Sequence, residues 1–252
     1  MIHLKTKQEI GRMKEGGAIV RDVVEKLLGT VEPGITTYQI DRLAEEMIRA
    51  RGAAPSFQKV NGYRWTTCLP INEQAVHTPP SATKLKRGDV LTIDIGVYHQ
   101  GLHTDFATTV VVGGEGSADK KTNAFLQKGK DTLEQAIAKV QPWKHLGEVS
   151  GFIEHEITAS GYFILKELTG HGIGKELHED PYVLNYLDKP VEKTYKIQPG
   201  LTIAIEIIYS MGTTHIAYEP NIEWSIITKD RSLSACFERS IAVGEEETFI
   251  LT

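Results

Sequence analysis

The sequence predicts an α+β protein built from two related halves that face each other across a pseudo-twofold axis. Three observations carry that expectation. Two amphipathic helical patterns are followed by strand-like runs, and the same order starts again in the second half of the chain. Residues 31–52 lie over residues 140–161 without a gap, with valine, proline and the terminal glycine coinciding. Lys86-Arg87-Gly88-Asp89-Val90-Leu91-Thr92-Ile93-Asp94 lies over Gln198-Pro199-Gly200-Leu201-Thr202-Ile203-Ala204-Ile205-Glu206, so Gly88 meets Gly200 and Asp94 meets Glu206. A period of about 110 residues is far longer than the ~20–50 of a solenoid repeat, which leaves two packed halves. Residues 1–116 and 117–252 are expected to form a single domain, since neither shows low complexity or a long flexible linker.

Taken in chain order, Thr6 and Glu9 make a capping box, and Ile10, Met13, Val20, Val23, Val24 and Leu27 recur at helical spacing, which predicts a helix over Lys7–Leu28. Val31-Glu32-Pro33-Gly34 breaks it. Thr36 or Thr37 caps a second helix whose apolar face is Ile40, Leu43, Met47 and Ile48, and Gly52 stops it. Strand-like runs follow at 63–69, 90–98 and 106–112. After a linker at 113–119, a long helix is expected over 120–140. The second half carries an extra hairpin, about 214–234, turned at Lys229-Asp230-Arg231-Ser232.

Composition sets the class. With 252 residues, 40% hydrophobic and 24% charged, the chain can bury a sizeable core. A net charge of -5 supplies no basic field for phosphate backbones, so nucleic acid is not expected as a specific partner. The amino terminus is polar from Lys5 onward, unlike a signal peptide, and no apolar run approaches the roughly 18 residues of a membrane span, so a cytoplasmic protein without membrane attachment is expected. Cys68 and Cys236 then read as two reduced thiols.

The chemistry lies in acids that interrupt apolar runs. Asp94 sits among Leu91, Ile93, Ile95 and Val97, and Glu206 sits between Ile205 and Ile207. Aspartate is disfavoured inside strands, and an unpaired buried carboxylate costs several kcal/mol, so such groups are neutralised by partners or hold a metal. Asp105 precedes the run 106–112, and Glu238 is its counterpart in the repeat; each alone reads equally as an edge-strand charge. If the halves meet, four carboxylates converge and two divalent cations would balance them. Oxygen ligands with an imidazole suit Mn, Fe, Co or Zn. His171, in Gly170-His171-Gly172-Ile173-Gly174, is the imidazole candidate, because flanking glycines let the backbone bend and approach a ligand. His77 and His178 lie in loop-like settings, where a lone histidine is more often a hydrogen-bonded turn residue.

Together these motifs resemble the methionine aminopeptidases, specifically the short type I class of bacteria. The resemblance rests on Asn72-Glu73 with Val76-His77, Thr92-Ile93-Asp94-Ile95-Gly96-Val97, Asp105 with Ala107 and Thr108, the Gly170–Gly174 motif, His178-Glu179 with Pro181, Glu206, and Lys229-Asp230-Arg231-Ser232-Leu233-Ser234-Ala235 leading to Phe237-Glu238. It implies a pita-bread fold, two pseudo-twofold halves around a central antiparallel sheet, and removal of the initiator methionine from nascent polypeptides by a metal-activated water. It implies Asp94, Asp105, His171, Glu206 and Glu238 as ligands of two divalent ions (Co, Mn, Fe or Zn), with Asp105 and Glu238 bridging. His77, His178 and Glu206 would be catalytic, His77 and His178 also touching substrate, and Tyr63, Cys68, Leu177 and Trp224 would line the methionine pocket. The N-terminal Met of a nascent peptide would be the partner, with transient ribosome association and a monomeric chain.

Four positions depart from the family pattern. Ile207 stands where proline usually follows the glutamate; Glu219-Pro220 has that dipeptide but breaks the repeat alignment, so Glu206 is kept. Thr78 replaces a glycine, Leu177 an aromatic, and Arg239-Ser240 a histidine and threonine. These bear on pocket shape and rate, and Arg239 brings a cation that could compete with a metal for the carboxylates. The rivals are a Xaa-Pro-type aminopeptidase, which usually carries an extra amino-terminal domain for which residues before Lys7 leave no room, and a non-catalytic binding protein on the same fold, against which every ligand position keeps a competent side chain. The type II class carries a long insertion that this sequence lacks.

Overall fold

The computed structural model describes residues 2–252. Helix α1 spans Lys7–Leu28 as expected, with Thr6 and Glu9 closing the capping box. Helix α2, Thr37–Arg49, starts from Thr36, boxed with Gln39, and stops three residues before Gly52. After β1 (Ala54–Pro55), the run expected as a strand over 63–69 yields only β2, Thr67–Cys68. The reason is local: the buried Asp41 carboxylate accepts the N–H groups of Thr66 and Thr67, both at 2.9 Å, so these amides are taken by a side chain where the ladder starts.

Strand β3 is Gln74–Val76; β4 (Val90–His99) and β5 (Leu102–Val111) form a long hairpin. Its two-residue turn, Gln100-Gly101, has φ of 48° and 85°, the left-handed pair that matches the twist of flanking strands. The hairpin pairs through to His99 and Leu102, so Asp105 lies inside β5 and not ahead of a strand.

The second half repeats the scheme. Helix α3 (Lys120–Lys139), capped by Asp119, and α4 (Leu146–Ala159) precede β6 (Phe163–Ile164), β7 (Gly170–Gly172), β8 (Glu179–Val183) and β9 (Thr202–Ser210). The extra hairpin is β10 (Ile216–Tyr218) with β11 (Ile226–Thr228), turned by residues 219–225. Lys229-Asp230-Arg231-Ser232 instead turns β11 into β12 (Ser234–Val243), with Arg231 at φ 62°; β13 (Thr248–Ile250) follows. Among the described residues no helix is long and apolar enough to cross a membrane.

The large sheet runs β1-β4-β5-β12-β9-β7-β8, antiparallel throughout, with β5 against β12 at its centre. Alternation assigns the two faces. Leu91, Ile93, Ile95 and Val97 pack under α1 and α2, while Ile203, Ile205, Ile207, Phe237 and Ile241 pack under α3 and α4. This is the pita-bread arrangement: helices behind each half, and an opposite face that carries Asp94, Asp105, Glu206 and Glu238. The small sheet β10-β11-β3 covers part of that face through Ala75, Val76 and Ile226, which pack on Ala107, Ile208 and Cys236.

Register corrects one equivalence drawn from the repeat. Glu206 lies opposite Glu238, whereas Asp94 lies opposite Ala107 and Asp105 opposite Gly96. With Asp94 equivalent to Glu206, the true counterpart of Glu238 is Ala107, and that of Asp105 is Cys236. Hydroxyl contacts agree. Ser240 Oγ bridges the N–H and C=O of Asp105 at 2.8 and 2.9 Å, and Thr109 Oγ1 bridges those of Cys236 at 3.0 and 2.7 Å. A displacement of two residues leaves a strand side chain on the same face, so the acids still converge.

Candidate active site

Asp94, Asp105, His171, Glu206 and Glu238 come together on the floor of one pocket, with Tyr63, Cys68, His77, Leu177, His178 and Trp224 in its walls. All eleven residues singled out from the sequence are therefore in one place. Val76, beside His77 in its motif, completes the lining with Phe57 and Val60, which had no signal in the sequence, being isolated apolar residues outside any periodic run.

Asp105 and Glu238 are closed off, at 4% and 3% exposure, whereas Asp94 and Glu206 keep some contact with the pocket. Ligand atoms of Asp105, His171 and Glu238 lie within 4.8 Å of one another. His171 donates from Nδ1 to the Gly172 carbonyl at 2.9 Å, which leaves the Nε2 lone pair facing Glu206 Oε1 at 3.7 Å and Glu238 Oε1 at 4.0 Å. The glycines beside His171 serve strand packing more than a bend. A Cβ on Gly170 would stand 2.5 Å from the Ala204 carbonyl oxygen and one on Gly172 2.2 Å from that of Asp180.

Burial drives the electrostatics. It lifts the Asp105 carboxyl to about 7 and the Glu206 carboxyl to about 8, the latter helped by the charge on Asp105, and it raises Asp94 and Glu238 well above the carboxylate range. Burial also lowers His171 to about 3, with His178 adding to the effect. Four acids resist ionisation and one imidazole resists protonation: the set lacks positive charge and holds lone pairs. Among the described residues Glu238 Oε1 is buried without a hydrogen-bond partner, a costly condition that a cation would relieve. The residues fit a divalent metal centre of oxygen donors with one imidazole.

The walls are set by neighbouring elements. Cys68 lies opposite Asp94 in the β2–β4 ladder, and Tyr63 Oη reaches its Sγ at 3.2 Å. Tyr63 meets Trp224 edge to face, with ring centroids 5.6 Å apart. Both cysteines are buried free thiols, as expected. His178 stands T-shaped against His171 at 4.4 Å between centroids, and the crowding around its ring lowers its pKa although part of the residue faces solvent. His77 holds a left-handed φ of 57° at the rim. Thr78 takes up the role its position allows by pairing with Ser225 Oγ at 2.8 Å.

Two of the departing side chains lie off the pocket. Arg239 does not enter the pocket with the carboxylates, because alternation turns it to the helix-bearing face. There its guanidinium stacks 4.1 Å over Phe106 and donates to the Glu238 carbonyl at 2.6 Å. Ile207 is fully buried on that same face, away from the pocket. Glu219 is absent from the site: it accepts from Gln74 and Ser225, both at 2.7 Å, in the small hairpin.

The profile of metallopeptidase family M24 matches residues 11–252. Methionine aminopeptidase 1 of Bacillus subtilis is 36% identical over 252 residues, covering 100% of this chain and 99% of the relative, and the methionine aminopeptidase of Clostridium perfringens is 34% identical with the same coverage. The crystal structure of methionine aminopeptidase from Thermotoga maritima superposes with a TM-score of 0.94 at 33% identity, covering 100% of this chain and 99% of that one. A prolidase from Pyrococcus horikoshii shares the fold at a TM-score of 0.75 and 21% identity, but this chain covers only 63% of it. With its acids, histidine and pocket all in place, the chain belongs to metallopeptidase family M24, among the methionine aminopeptidases.

Proposed function

We propose that this hydrolase removes the N-terminal methionine from newly made polypeptides, using two divalent metal ions and the whole chain as one catalytic domain. The observation that carries the reading is the buried carboxylate cluster with His171 at the floor of a pocket whose walls are apolar and aromatic. Asp94, Asp105, Glu206 and Glu238 would hold the ions through carboxylate oxygens and His171 through Nε2. Bound metal, from among Mn, Fe, Co and Zn, would lower the pKa of water toward neutrality and polarise the scissile carbonyl.

The remaining work falls to side chains. Glu206, ionised once its charge is balanced by bound metal, accepts a proton and passes it to the leaving amine. His178 donates to the carbonyl oxygen as negative charge develops there. His77, at the rim, contacts the substrate amide. Tyr63, Cys68, Leu177 and Trp224 enclose the methionine side chain, where a soft, polarisable wall suits a thioether. The free α-amine would bind near the metal held by Asp94, which restricts cleavage to a chain end. A cytoplasmic location, a monomer and transient contact with the ribosome belong to the same proposal.

The test is metal-reconstituted protein with Mn, Co or Fe, offered Met-Ala-Ser and a Xaa-Pro peptide, with bound metal measured alongside. Methionine release from the first is expected. Cleavage of the second alone would establish a Xaa-Pro enzyme, and metal binding without either cleavage a non-catalytic protein.

A further inference from the structure

The central ladder between β5 and β12 is short: its main-chain register holds only Ala107 with Glu238 and Phe106 with Arg239. Immediately beyond it lies Asp105, whose backbone must find other partners. Side-chain hydroxyls supply them. The Asp105 N–H donates to Ser240 Oγ at 2.8 Å, and the Asp105 carbonyl accepts from Ser240 Oγ at 2.9 Å and from Thr252 Oγ1 at 2.8 Å. Ser240 N–H in turn donates to Thr252 Oγ1 at 2.9 Å, which closes the set. Ser240 is fully buried and Thr252 is 2% exposed, so water does not compete. Thr252 is itself held from α1. Arg21 donates to the Leu251 carbonyl, and Gly17 lets that carbonyl approach so closely that a Cβ would stand 1.9 Å from it.

The pseudo-symmetric clasp, Thr109 on Cys236, has a different third member. Its hydroxyl pairs with Thr92 Oγ1 at 2.9 Å on the neighbouring strand, and the residue it grips is not among the acids. The fold thus contains two copies of one device, of which one grips an acid of the site and recruits a residue from the carboxyl-terminal segment. We propose that Thr252, acting with Ser240, is a positioning residue for Asp105: the two hydroxyls set the main-chain position of Asp105 between the splayed strands, so that its carboxylate opposes Glu238 and His171 at the separation a divalent cation needs. The inference rests on reading Asp105 as a metal ligand.

Mn2+ alone is the probe, titrated calorimetrically into the metal-free full chain. Thr252→Val removes the hydroxyl at nearly constant volume and should raise the Mn2+ Kd on the order of tenfold, as loss of an outer partner of a metal ligand does. Thr252→Ser should restore it. Saturating Mn2+ should return kcat in the valine variant with KM for Met-Ala-Ser unchanged. Thr109→Val, the control on the other clasp, should lower the melting temperature without moving Kd. A wild-type Kd in Thr252→Val, or an equal rise in Thr109→Val, overturns the proposal. Should Thr252→Val fail to fold, Ser240→Ala, which keeps the Thr252 contact to Asp105, decides by the same criterion. Asp105→Asn separates the two levels: wild-type Mn2+ affinity there refutes the ligand reading itself, whereas loss there with none in Thr252→Val refutes only the positioning role.

Discussion

At the scale of single residues, one buried oxygen defines the site better than any motif. Glu238 Oε1 has no hydrogen-bond partner among the described residues, and its carboxyl is pushed well above the carboxylate range by burial and by the charges of Asp105, Glu206 and Asp94. Replacing it with a group that cannot coordinate should therefore be decisive. Glu238→Ala is expected to lose about tenfold or more in divalent metal affinity and, with it, methionine release. Metal content after dialysis is the measurement, and wild-type content would remove Glu238 from the ligand set. Arg239 carries the opposite lesson. Its charge is a neighbour in sequence but lies on the other face of the sheet, over Phe106.

At the scale of elements, the first helix reaches the site indirectly. Gly16 and Gly17 occur side by side within α1, where glycine lowers helix stability, and the structure supplies the reason at Gly17: the Leu251 carbonyl fills the space of a Cβ. Gly17→Ala should cost about 1–3 kcal/mol in urea unfolding, because the clash is with backbone that must move. It should also weaken Mn2+ binding, since Leu251 carries Thr252. Gly11, in the same helix, has nothing within 4 Å of a built Cβ. Gly11→Ala is expected to gain about 0.5–1 kcal/mol from helix propensity alone, with metal affinity unchanged. An equal effect at the two positions would show that helix propensity, not contact with the tail, sets their cost.

At the scale of the whole molecule, the cluster links stability to pH and to metal. Asp105 and Glu206 rise on folding, from 3.8 and 4.5 to about 7 and about 8. A group raised on folding contributes most below its unfolded value and loses that contribution as pH climbs through its folded value. His171 moves the other way, from 6.5 to about 3, so its contribution is present above 6.5 and is lost as pH falls toward 3. Above 6.5 the histidine no longer contributes, and the acids carry the change until the Cys68 and Cys236 thiols, raised by burial well above their ordinary value, begin to ionise in the unfolded chain. The metal-free protein should thus lose stability from about pH 6.5 to 8, and Mn2+ should remove most of that loss by neutralising the ionised acids. Melting temperatures across this range, with and without Mn2+, test it. A metal-free protein whose stability is flat there would mean that the acids ionise freely and are not enclosed as a group. Proton release on Mn2+ binding near pH 7 should accompany the effect.

Much of this protein was legible in its sequence because strands and helices impose short periods. Alternation around Asp94 and Glu206 marked them as acids on the far side of apolar strands, and the glycine-led repeat announced two halves. What the sequence could not carry was register. The repeat paired Asp105 with Glu238, yet the ladders pair Glu238 with Ala107 and displace Asp105 by two residues. A two-residue shift preserves the face of a strand, so sequence alone determined which side chains meet but not which backbone stands opposite which. Only the tertiary structure decided how Asp105 is held. That depends on hydroxyls 135 and 147 residues away, Ser240 and Thr252, which no local pattern can bring together.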